Sequence, residues 1–218
     1  MAETVERDAE SPGAAAATAG TAATPRSRAK ADRRDALLSA AAGLFARSGF
    51  NGVSIEDLGA AAGVSGPAVY RHFSGKQAVL GALLVGVSED LLVGGRAVVD
   101  EATDAASALA GLVRFHVDFA LSNRDVIRVQ DRDLDHLLQA DRHRVRALQR
   151  SYVELWVEVL GRAYPTVDAA ELRIRAHATF GLINSTPHSA ASSPPALVRA
   201  LLEEMALAAL SPAATFRE

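Results

Sequence analysis

Hydrogen-bonding and basic side chains are grouped around residue 70, where their types suit contact with the phosphates of a nucleic acid. The group consists of Tyr70, Arg71, His72 and Lys76. Each of these side chains can donate a hydrogen bond to a phosphate oxygen, which positions a protein on a duplex without selecting a sequence. The residues just before the group, Gly66, Pro67 and Ala68, are small enough for their helix to lie deep in a major groove.

Two short helices joined by a tight turn have to position this group. An apolar stripe at helical spacing predicts a preceding helix that ends at Gly49, since glycine readily adopts the left-handed conformation at a helix C-terminus. Ser54 is expected to cap a second helix, and Gly63 is expected to end it. The alanines 60–62 at the end of this helix are small enough to allow the next helix to cross closely. Ser65 is expected to cap the third helix. This order of elements predicts a helix-turn-helix.

Composition excludes several kinds of chemistry. The chain of 218 residues has no cysteine, which rules out thiol catalysis and cysteine-based zinc sites. Its histidines are scattered rather than spaced as metal ligands with a supporting carboxylate, and it has no glycine-rich phosphate loop. We therefore expect a protein that is not an enzyme and that has no resident cofactor or metal ion.

Charge and composition divide the chain into three segments. Residues 1–31 contain almost no large apolar side chain, so we expect a disordered arm with a basic end. Residues 32–78 form the predicted helix-turn-helix domain, which is basic, whereas residues 79–218 are acidic overall. No secretory signal and no apolar run of about 20 residues is evident, so we expect a cytoplasmic, nucleoid-associated protein without a membrane partner.

The periodicity of residues 79–218 predicts helices throughout, and hence an all-α fold. The fourth helix is expected to end at the pair Gly94 and Gly95. A single long amphipathic helix is expected from Asp133 to Tyr164.

The last predicted helix has an apolar stripe that is wider than the core of one domain requires. The stripe contains Leu197, Leu201, Met205 and Ala208, with a second row at Val198 and Leu202. The preceding helix offers small residues that permit close approach, namely Ala176, Ala178 and Gly181. Because soluble monomers rarely expose a large apolar patch, we expect a homodimer that is formed through these two helices.

A small-molecule site is less sharply defined by the sequence. The candidates are bulky or polar groups on the middle helices: Phe115, Phe119, Tyr152, Trp156, Phe180 and Asn184. Ordinary core packing is an open alternative, since aromatic residues at helical spacing usually pack. Arg128 belongs to an arginine-rich stretch, residues 124–150, which either holds phosphates of a ligand or forms a solvated face neutralised by nearby aspartates.

The stretch from Ser54 to Lys76, SIEDLGAAAGVSGPAVYRHFSGK, closely resembles the DNA-binding domain of the tetracycline-repressor (TetR) family. The resemblance covers roughly residues 32–80 and is carried above all by the AGVS turn and by VYRHF. It implies that residues 79–218 form a helical ligand-binding and dimerisation domain. For the site it implies phosphate contacts by Ser54, Tyr70, His72 and Lys76, and base-edge contacts by Ser65, Gly66, Pro67, Ala68 and Val69.

One departure from the family pattern affects base recognition. Gly66, Pro67 and Ala68 carry no side-chain donor, so recognition has to rely on Ser65, backbone groups, thymine methyls or DNA shape. Residues 131–134 and 180–189 are more loosely similar to actinobacterial regulators linked to acyl-CoA or branched-chain acid catabolism. That similarity suggests an acyl-CoA or a related hydrophobic acid as effector.

The sequence thus predicts a dimeric repressor that binds a pseudo-palindromic operator in double-stranded DNA and is released by a small-molecule effector. The expected mechanism is a swing of the fourth helix that changes the spacing of the two DNA-contacting helices. The alternative is a duplex-DNA-binding protein that responds to no ligand. A single-strand or RNA module is disfavoured, because Phe45, Phe50 and Phe73 occupy helix-packing positions rather than a base-stacking surface.

Overall fold

The computed structural model describes residues 25–189 and 193–212. Across these ranges the chain forms helices and no strand, which confirms the all-α prediction. The helices are α1 (Pro25–Ser48), α2 (Ile55–Ala61), α3 (Gly66–Val69), α4 (Lys76–Glu101), α5 (Ala105–Ser122), α6 (Arg124–Asp133), the 3-10 turn η1 (Leu134–His136), α7 (Gln139–Ala163), α8 (Ala169–Ile183), α9 (Thr186–Ser189) and α10 (Pro195–Leu210).

The first three helices begin and end where local sequence signals place them. Gly49 has a φ of 74° and Gly63 a φ of 69°, so both adopt the left-handed conformation that favours glycine after a helix. Ser54 and Asp57 form a reciprocal capping box at the start of α2: the Ser54 hydroxyl accepts the Asp57 N–H, and the Asp57 carboxylate accepts the Ser54 N–H. Ser65 occupies the N-cap position of α3, but its side chain makes no capping hydrogen bond.

The close crossing of α2 and α3 depends on Gly59 rather than on the alanines at 60–62. A Cβ atom on Gly59 would lie 2.8 Å from the Val64 carbonyl oxygen and 3.0 Å from the Gly66 nitrogen. Ala60 and Ala61 are exposed, because they lie on the opposite face of the short helix.

Helix α4 continues through Gly94 and Gly95 to Glu101, so the predicted end at this glycine pair is wrong. The glycines serve helix packing instead. A Cβ on Gly94 would lie 2.4 Å from the Phe115 ring, and one on Gly95 would lie 2.6 Å from the Tyr152 ring. The pair therefore lets α5 and α7 approach α4 closely.

Among the described helices, α4 alone is long and apolar enough by composition to cross a membrane. An apolar stretch of this length was not expected from the sequence. Its apolar residues have partners within the protein. Leu80 and Leu84 are fully buried in a core with α1 and α2, and Leu92 lies in a second core with α5 and α7. We therefore interpret α4 as the core helix that joins both halves of the molecule.

The predicted helix from Asp133 to Tyr164 is interrupted. Helix α6 ends at Asp133, the turn η1 follows, and α7 begins at Gln139, because Leu137 and Leu138 adopt extended backbone angles. Leu137 is thereby buried in the N-terminal core, together with Val129 of α6 and Val145 of α7. Residue 78 is thus not a packing boundary, since the second half of the chain completes the core of the first.

The N-terminal arm is only partly described. Residues 1–24 lie outside the described residues, so the expected disorder there stays a prediction. Residues 25–31 form the first turns of α1 rather than part of an irregular arm, and residues 26–31 are exposed, as their polar and small side chains suggest.

Candidate nucleic-acid interface and internal cavity

Helix α3 presents the predicted base-contacting residues at the molecular surface, with one exception. Ser65 and Pro67 are exposed, and Gly66 and Ala68 are partly exposed. Val69 is fully buried among the N-terminal core residues, so its predicted base contact is wrong: the side chain anchors α3 instead. The backbone continues in helical turns after Val69, with the His72 N–H bonded to the Val69 carbonyl at 2.9 Å.

The predicted phosphate-contacting residues differ in solvent exposure and in the hydrogen bonds that they already make within the protein. Tyr70 is 58% exposed, and Arg71 is exposed beside it. The Nδ1 atom of His72 is buried and has no hydrogen-bond partner among the described residues. The Ser54 hydroxyl donates to the Asp57 carboxylate at 2.7 Å, so capping already occupies its proton. The hydrogen bonds from Ser54 also lower the pKa of Asp57.

Lys76 is held in a fixed position. Its ammonium group donates to the Val53 carbonyl at 2.7 Å and lies 4.5 Å from the centre of the Phe50 ring. An ammonium group has three donors, so two remain for an anion.

A cavity of about 180 Å³ lies between α4, α5, α6, α7 and α8. Its apolar wall comes from Leu91, Phe119, Val126, Ile127, Val153 and Phe180, and its polar groups come from Ser88, His116, Gln130, Gln149, Tyr152 and Asn184. Neither an acidic nor a permanently cationic side chain lines it. Among the residues that the structure describes, no cluster of His, Asp or Glu could hold a metal ion.

His116 is the centre of a polar network on the cavity wall. Its Nε2 atom lies 3.2 Å from the Asn184 Oδ1 atom and its Nδ1 atom 3.4 Å from the Tyr152 hydroxyl. Burial lowers the pKa of His116 to about 4, against a smaller opposing effect of the Asn184 hydrogen bond, so the ring is neutral at pH 7. Burial also raises the pKa of Tyr152. A neutral ring donates from Nε2 to Asn184 and accepts at Nδ1 from Tyr152.

Four of the seven predicted ligand residues line this cavity: Phe119, Tyr152, Phe180 and Asn184. Phe115 does not, because its ring packs against Gly94. Trp156 lies behind the wall, fully buried, with its ring centre 4.9 Å from that of Phe180. Arg128 faces another groove, where it pairs with Asp125 at 3.4 Å and donates to the Pro187 carbonyl at 2.7 Å.

Four further polar residues line the cavity without having been predicted from the sequence, namely Ser88, His116, Gln130 and Gln149. Each is a single polar side chain on an otherwise apolar helix face, which is a weak signal until the neighbouring helices are known. The polar residue within the apolar stripe of α5, His116, is the one whose position could have raised suspicion, since a buried histidine needs hydrogen-bond partners.

The arginine-rich stretch divides into paired and unpaired members. Arg132 pairs with Asp133 at 3.1 Å, Arg142 with Asp135 at 3.5 Å, and Arg144 with Glu89. In contrast, Arg146 and Arg150 form no ion pair with any described residue. They line a surface groove that also contains Gln149 and Val153, and these two residues are shared with the cavity. The unpaired arginines thus lie in a groove that borders the cavity at Gln149 and Val153.

Helix α6 connects the cavity wall to the N-terminal helices. Val126, Ile127 and Gln130 line the cavity, and two residues further Arg132 donates to the Phe45 carbonyl and, at 3.4 Å, to the Ala46 carbonyl. These carbonyls belong to the last turn of α1, and that of Phe45 also accepts the Gly49 N–H at 2.8 Å. The guanidinium group is oriented by Asp133, whose carboxylate is almost completely buried.

The η1 turn makes the next contact with the N-terminal helices. The His136 ring stacks on Phe50 with centres 4.8 Å apart, and the Asn51 amide donates to the His136 ring at 3.3 Å. Phe50 is also the ring beneath the Lys76 ammonium group. A continuous set of contacts therefore runs from the cavity wall through α6 and η1 to Lys76.

An exposed apolar face covers α8 and α10. Ile174 is 69% exposed, Leu197 52%, Leu201 47% and Met205 50%. Ala178 and Gly181 are exposed beside them, whereas Ala176 is buried and cannot contribute to close approach from outside. Val198 and Leu202 are buried in the core, so one side of the wide apolar stripe of α10 packs inside the protein and the other side is exposed to solvent.

Two family profiles match the chain in tandem. "Bacterial regulatory proteins, tetR family" matches residues 37–83, and "Tetracyclin repressor-like, C-terminal domain" matches residues 102–188. A curated relative, the HTH-type transcriptional repressor KstR2 of Rhodococcus jostii (strain RHA1), is 29% identical over 132 residues. That alignment covers 60% of this chain and 65% of the Rhodococcus protein.

Solved structures share the fold over most of the chain. A TetR-family transcriptional regulator from Bordetella parapertussis 12822 is 27% identical, with a TM-score of 0.70, and the match covers 80% of this chain and 93% of that one. AibR, solved in complex with isovaleryl coenzyme A and operator DNA, is 18% identical, with a TM-score of 0.66, and the match covers 79% of this chain and 97% of AibR. At 18% identity, the similarity to AibR is evidence for a shared fold and for nothing more specific.

Proposed function

Because the chain belongs to the TetR family of bacterial regulatory proteins, we propose that it is a homodimeric transcriptional repressor that binds duplex DNA and is released by a small molecule. Membership in a family of regulators agrees with the expectation that the chain is not an enzyme. The observation that carries the proposal is the capped α2–α3 pair, with Val69 anchored in the core and Ser65, Pro67, Tyr70 and Arg71 exposed. A protein of this function acts in the cytoplasm, at the nucleoid.

The surface of α3 favours recognition by fit rather than by side-chain hydrogen bonds. Ser65 is the one exposed side-chain donor before Tyr70 on this short helix. Pro67 and Ala68 can contact thymine methyl groups, and the small side chains allow the backbone close to the base edges. Sequence-dependent DNA shape is expected to supply the rest of the specificity.

The apolar face of α8 and α10 supports the dimer. A closed twofold pair buries Leu197, Leu201 and Met205 of both copies and places two α3 helices on one side of the assembly. Two such helices about 34–36 Å apart fit half-sites that are one turn of DNA apart.

The cavity and the neighbouring groove that contains Arg146 and Arg150 support an effector that has an apolar part and an anionic part, such as an acyl-CoA. The continuous set of contacts from the cavity wall through α6 and η1 to Lys76 supports a mechanism in which the effector changes the position of Lys76 and of the end of α1. Helix α4, for which a swing is predicted from the sequence, also connects the two sites, because it carries Lys76 at its first position and Leu91 on the cavity wall. The effector can act only through different affinities for the two conformations.

We expect the Lys76→Gln variant to bind every duplex more weakly, by a similar factor for operator and for unrelated DNA. A phosphate contact contributes affinity but carries no sequence information, and losing one phosphate contact lowers the slope of log K against log salt by about 0.9. The measurement is fluorescence anisotropy with labelled duplexes between about 50 and 200 mM salt.

The control for this variant is Arg96→Gln, which removes an exposed arginine further along the same helix. It is expected to keep the wild-type slope. If Lys76→Gln left the salt slope unchanged, or altered the preferred sequence at constant affinity, Lys76 would not contact a phosphate.

The second candidate function is a DNA-binding protein without a ligand, in which the cavity is a packing defect. The side chains of His116, Asn184 and Tyr152 argue against it, because two hydrogen bonds hold these three polar groups in the cavity wall, where a packing defect alone would require no polar group. The two functions differ in whether any small molecule releases the protein from DNA.

A further inference from the structure

We propose that the cavity holds a small, neutral acyl group, presented as a thioester whose anionic carrier lies on Arg146 and Arg150. The inference rests on the proposed function and specifies the chemistry of its effector. The expected ligands are short, branched or single-ring acyl thioesters. Free acids and long-chain acyl thioesters are expected to bind more weakly.

The size of the cavity limits the acyl group. At about 180 Å³, it is slightly larger than the apolar cavity of about 150 Å³ that is known to hold a benzene ring. This volume suits about five to eight non-hydrogen atoms. A chain of 16 or 18 carbons would require the surrounding helices to separate, and the aromatic wall formed by Phe119 and Phe180 is backed by the fully buried Trp156.

The absence of charge in the lining excludes a free carboxylate. A carboxylate placed there would be buried without a permanently cationic partner, which is strongly unfavourable. His116 is the one lining side chain that could become a cation, and burial keeps its ring neutral at pH 7 by lowering its pKa to about 4, although the Asn184 hydrogen bond opposes this effect. Binding a free acid would therefore require the protein to take up a proton.

Asn184 supplies a donor for a neutral carbonyl oxygen. Its Oδ1 atom accepts from His116, which leaves the Nδ2 amino group as the free end of the amide on the cavity wall. Gln130 and Gln149 add amide groups that make no hydrogen bond with a described residue. A thioester carbonyl accepts hydrogen bonds and carries no charge, so it matches this set of groups.

The anionic carrier is directed to the groove at Gln149 and Val153. Arg146 and Arg150 are four residues apart on α7, so their side chains are neighbours and their like charges repel each other. A bound anion would reduce this repulsion. The groove also contains Arg173, which pairs with Glu154. The other groove that adjoins the cavity, at Val126, contains Asp35, Asp90 and Asp125 and is less favourable for an anion.

The experiment measures binding of defined probes to the full-length protein by calorimetry and by the fluorescence of Trp156, the single tryptophan of the chain. The probes are isovaleryl-CoA, benzoyl-CoA, palmitoyl-CoA, CoA, isovalerate and the uncharged isovaleryl N-acetylcysteamine thioester. We expect isovaleryl-CoA or benzoyl-CoA to bind at least about 10-fold tighter than palmitoyl-CoA, since a misfit of even one methylene changes binding by about that factor. Isovalerate and CoA should bind at least about 100-fold more weakly than the matching ester, because each lacks one half of the ligand.

Variants assign the two parts of the ligand. Arg146→Gln and Arg150→Gln should each weaken the CoA esters by about 10-fold, the size of one charged hydrogen bond, and leave the uncharged thioester unaffected. The matched control is Arg162→Gln, an exposed arginine at the far end of α7. Leu91→Ala enlarges the cavity and should shift the preference toward longer acyl groups, a result that loss of folding cannot produce.

Three results would overturn the inference: palmitoyl-CoA as the tightest ligand, isovalerate binding as tightly as its thioester with uptake of a proton, or no binding of any thioester. None of them bears on operator binding, which the Lys76→Gln variant tests without a ligand. Failure of the proposed function would instead appear as an absence of duplex-DNA binding by the wild-type protein.

Discussion

The Leu201→Glu variant should be monomeric and should lose operator binding. Leu201 lies at the centre of the exposed apolar face of α8 and α10 and is 47% exposed. Removing the leucine from a twofold interface eliminates about 2 kcal/mol of apolar burial in each copy, and two facing glutamates add repulsion and desolvation. The total exceeds about 4 kcal/mol, which raises the dimer dissociation constant by at least about 1000-fold. Sedimentation velocity at micromolar concentration and anisotropy with operator DNA are the measurements.

Val93→Glu is the matched control for this variant. Val93 is 66% exposed on α4, outside the α8–α10 face, so a glutamate there should leave both the dimer and DNA binding intact. Circular dichroism must show the same helix content in both variants. A Leu201→Glu protein that sediments as a dimer would place the interface elsewhere and contradict this assignment.

The Arg132→Gln variant should largely lose the effect of the effector on DNA binding. The substitution removes the hydrogen bonds to the Phe45 and Ala46 carbonyls and leaves the buried Asp133 carboxylate without its guanidinium partner. We expect stability to fall by about 2 kcal/mol, since the pair is half-exposed on the arginine side and a broken buried pair costs more. The ratio of operator affinities without and with the tightest acyl-CoA probe should fall by at least about 10-fold, because a coupling free energy is typically about 1–3 kcal/mol.

A readout without ligand accompanies this test. Hydrogen exchange of residues 49–54 should become faster in Arg132→Gln, because η1 no longer docks firmly on Phe50 and Asn51. The control is Arg144→Gln, which breaks the ion pair with Glu89 on α4 and leaves α6 and η1 untouched. An unchanged affinity ratio in Arg132→Gln, with normal effector binding, would show that the signal travels by another route, such as α4 alone.

Local signals account for what the sequence predicts well. The ends at Gly49 and Gly63 and the cap at Ser54 depend on residues within one helical turn, and the structure places each of them as expected. The same holds for the exposed face at Leu197, Leu201 and Met205, whose period is a property of one helix. Such features need no knowledge of the partner elements.

What the sequence does not predict depends on contacts between distant segments. Gly94 and Gly95 look like a helix end, and only the rings of Phe115 and Tyr152 show that they allow close packing. Likewise the apolar pattern around Leu137 continues from one helix into the next, so the break between α6 and α7 is visible only when Leu137 enters the N-terminal core. The His116 network joins α5, α7 and α8, which no local pattern can relate.

The proposed function requires the protein to bind a palindromic duplex as a twofold dimer. Enrichment of bound sequences from a random duplex library by the purified wild-type protein tests this requirement. We expect enrichment of an inverted repeat whose half-sites are about one helical turn apart, with two protomers bound per site. Enrichment of a single asymmetric half-site by a monomer, or no enrichment of duplex sequences at all, would contradict it.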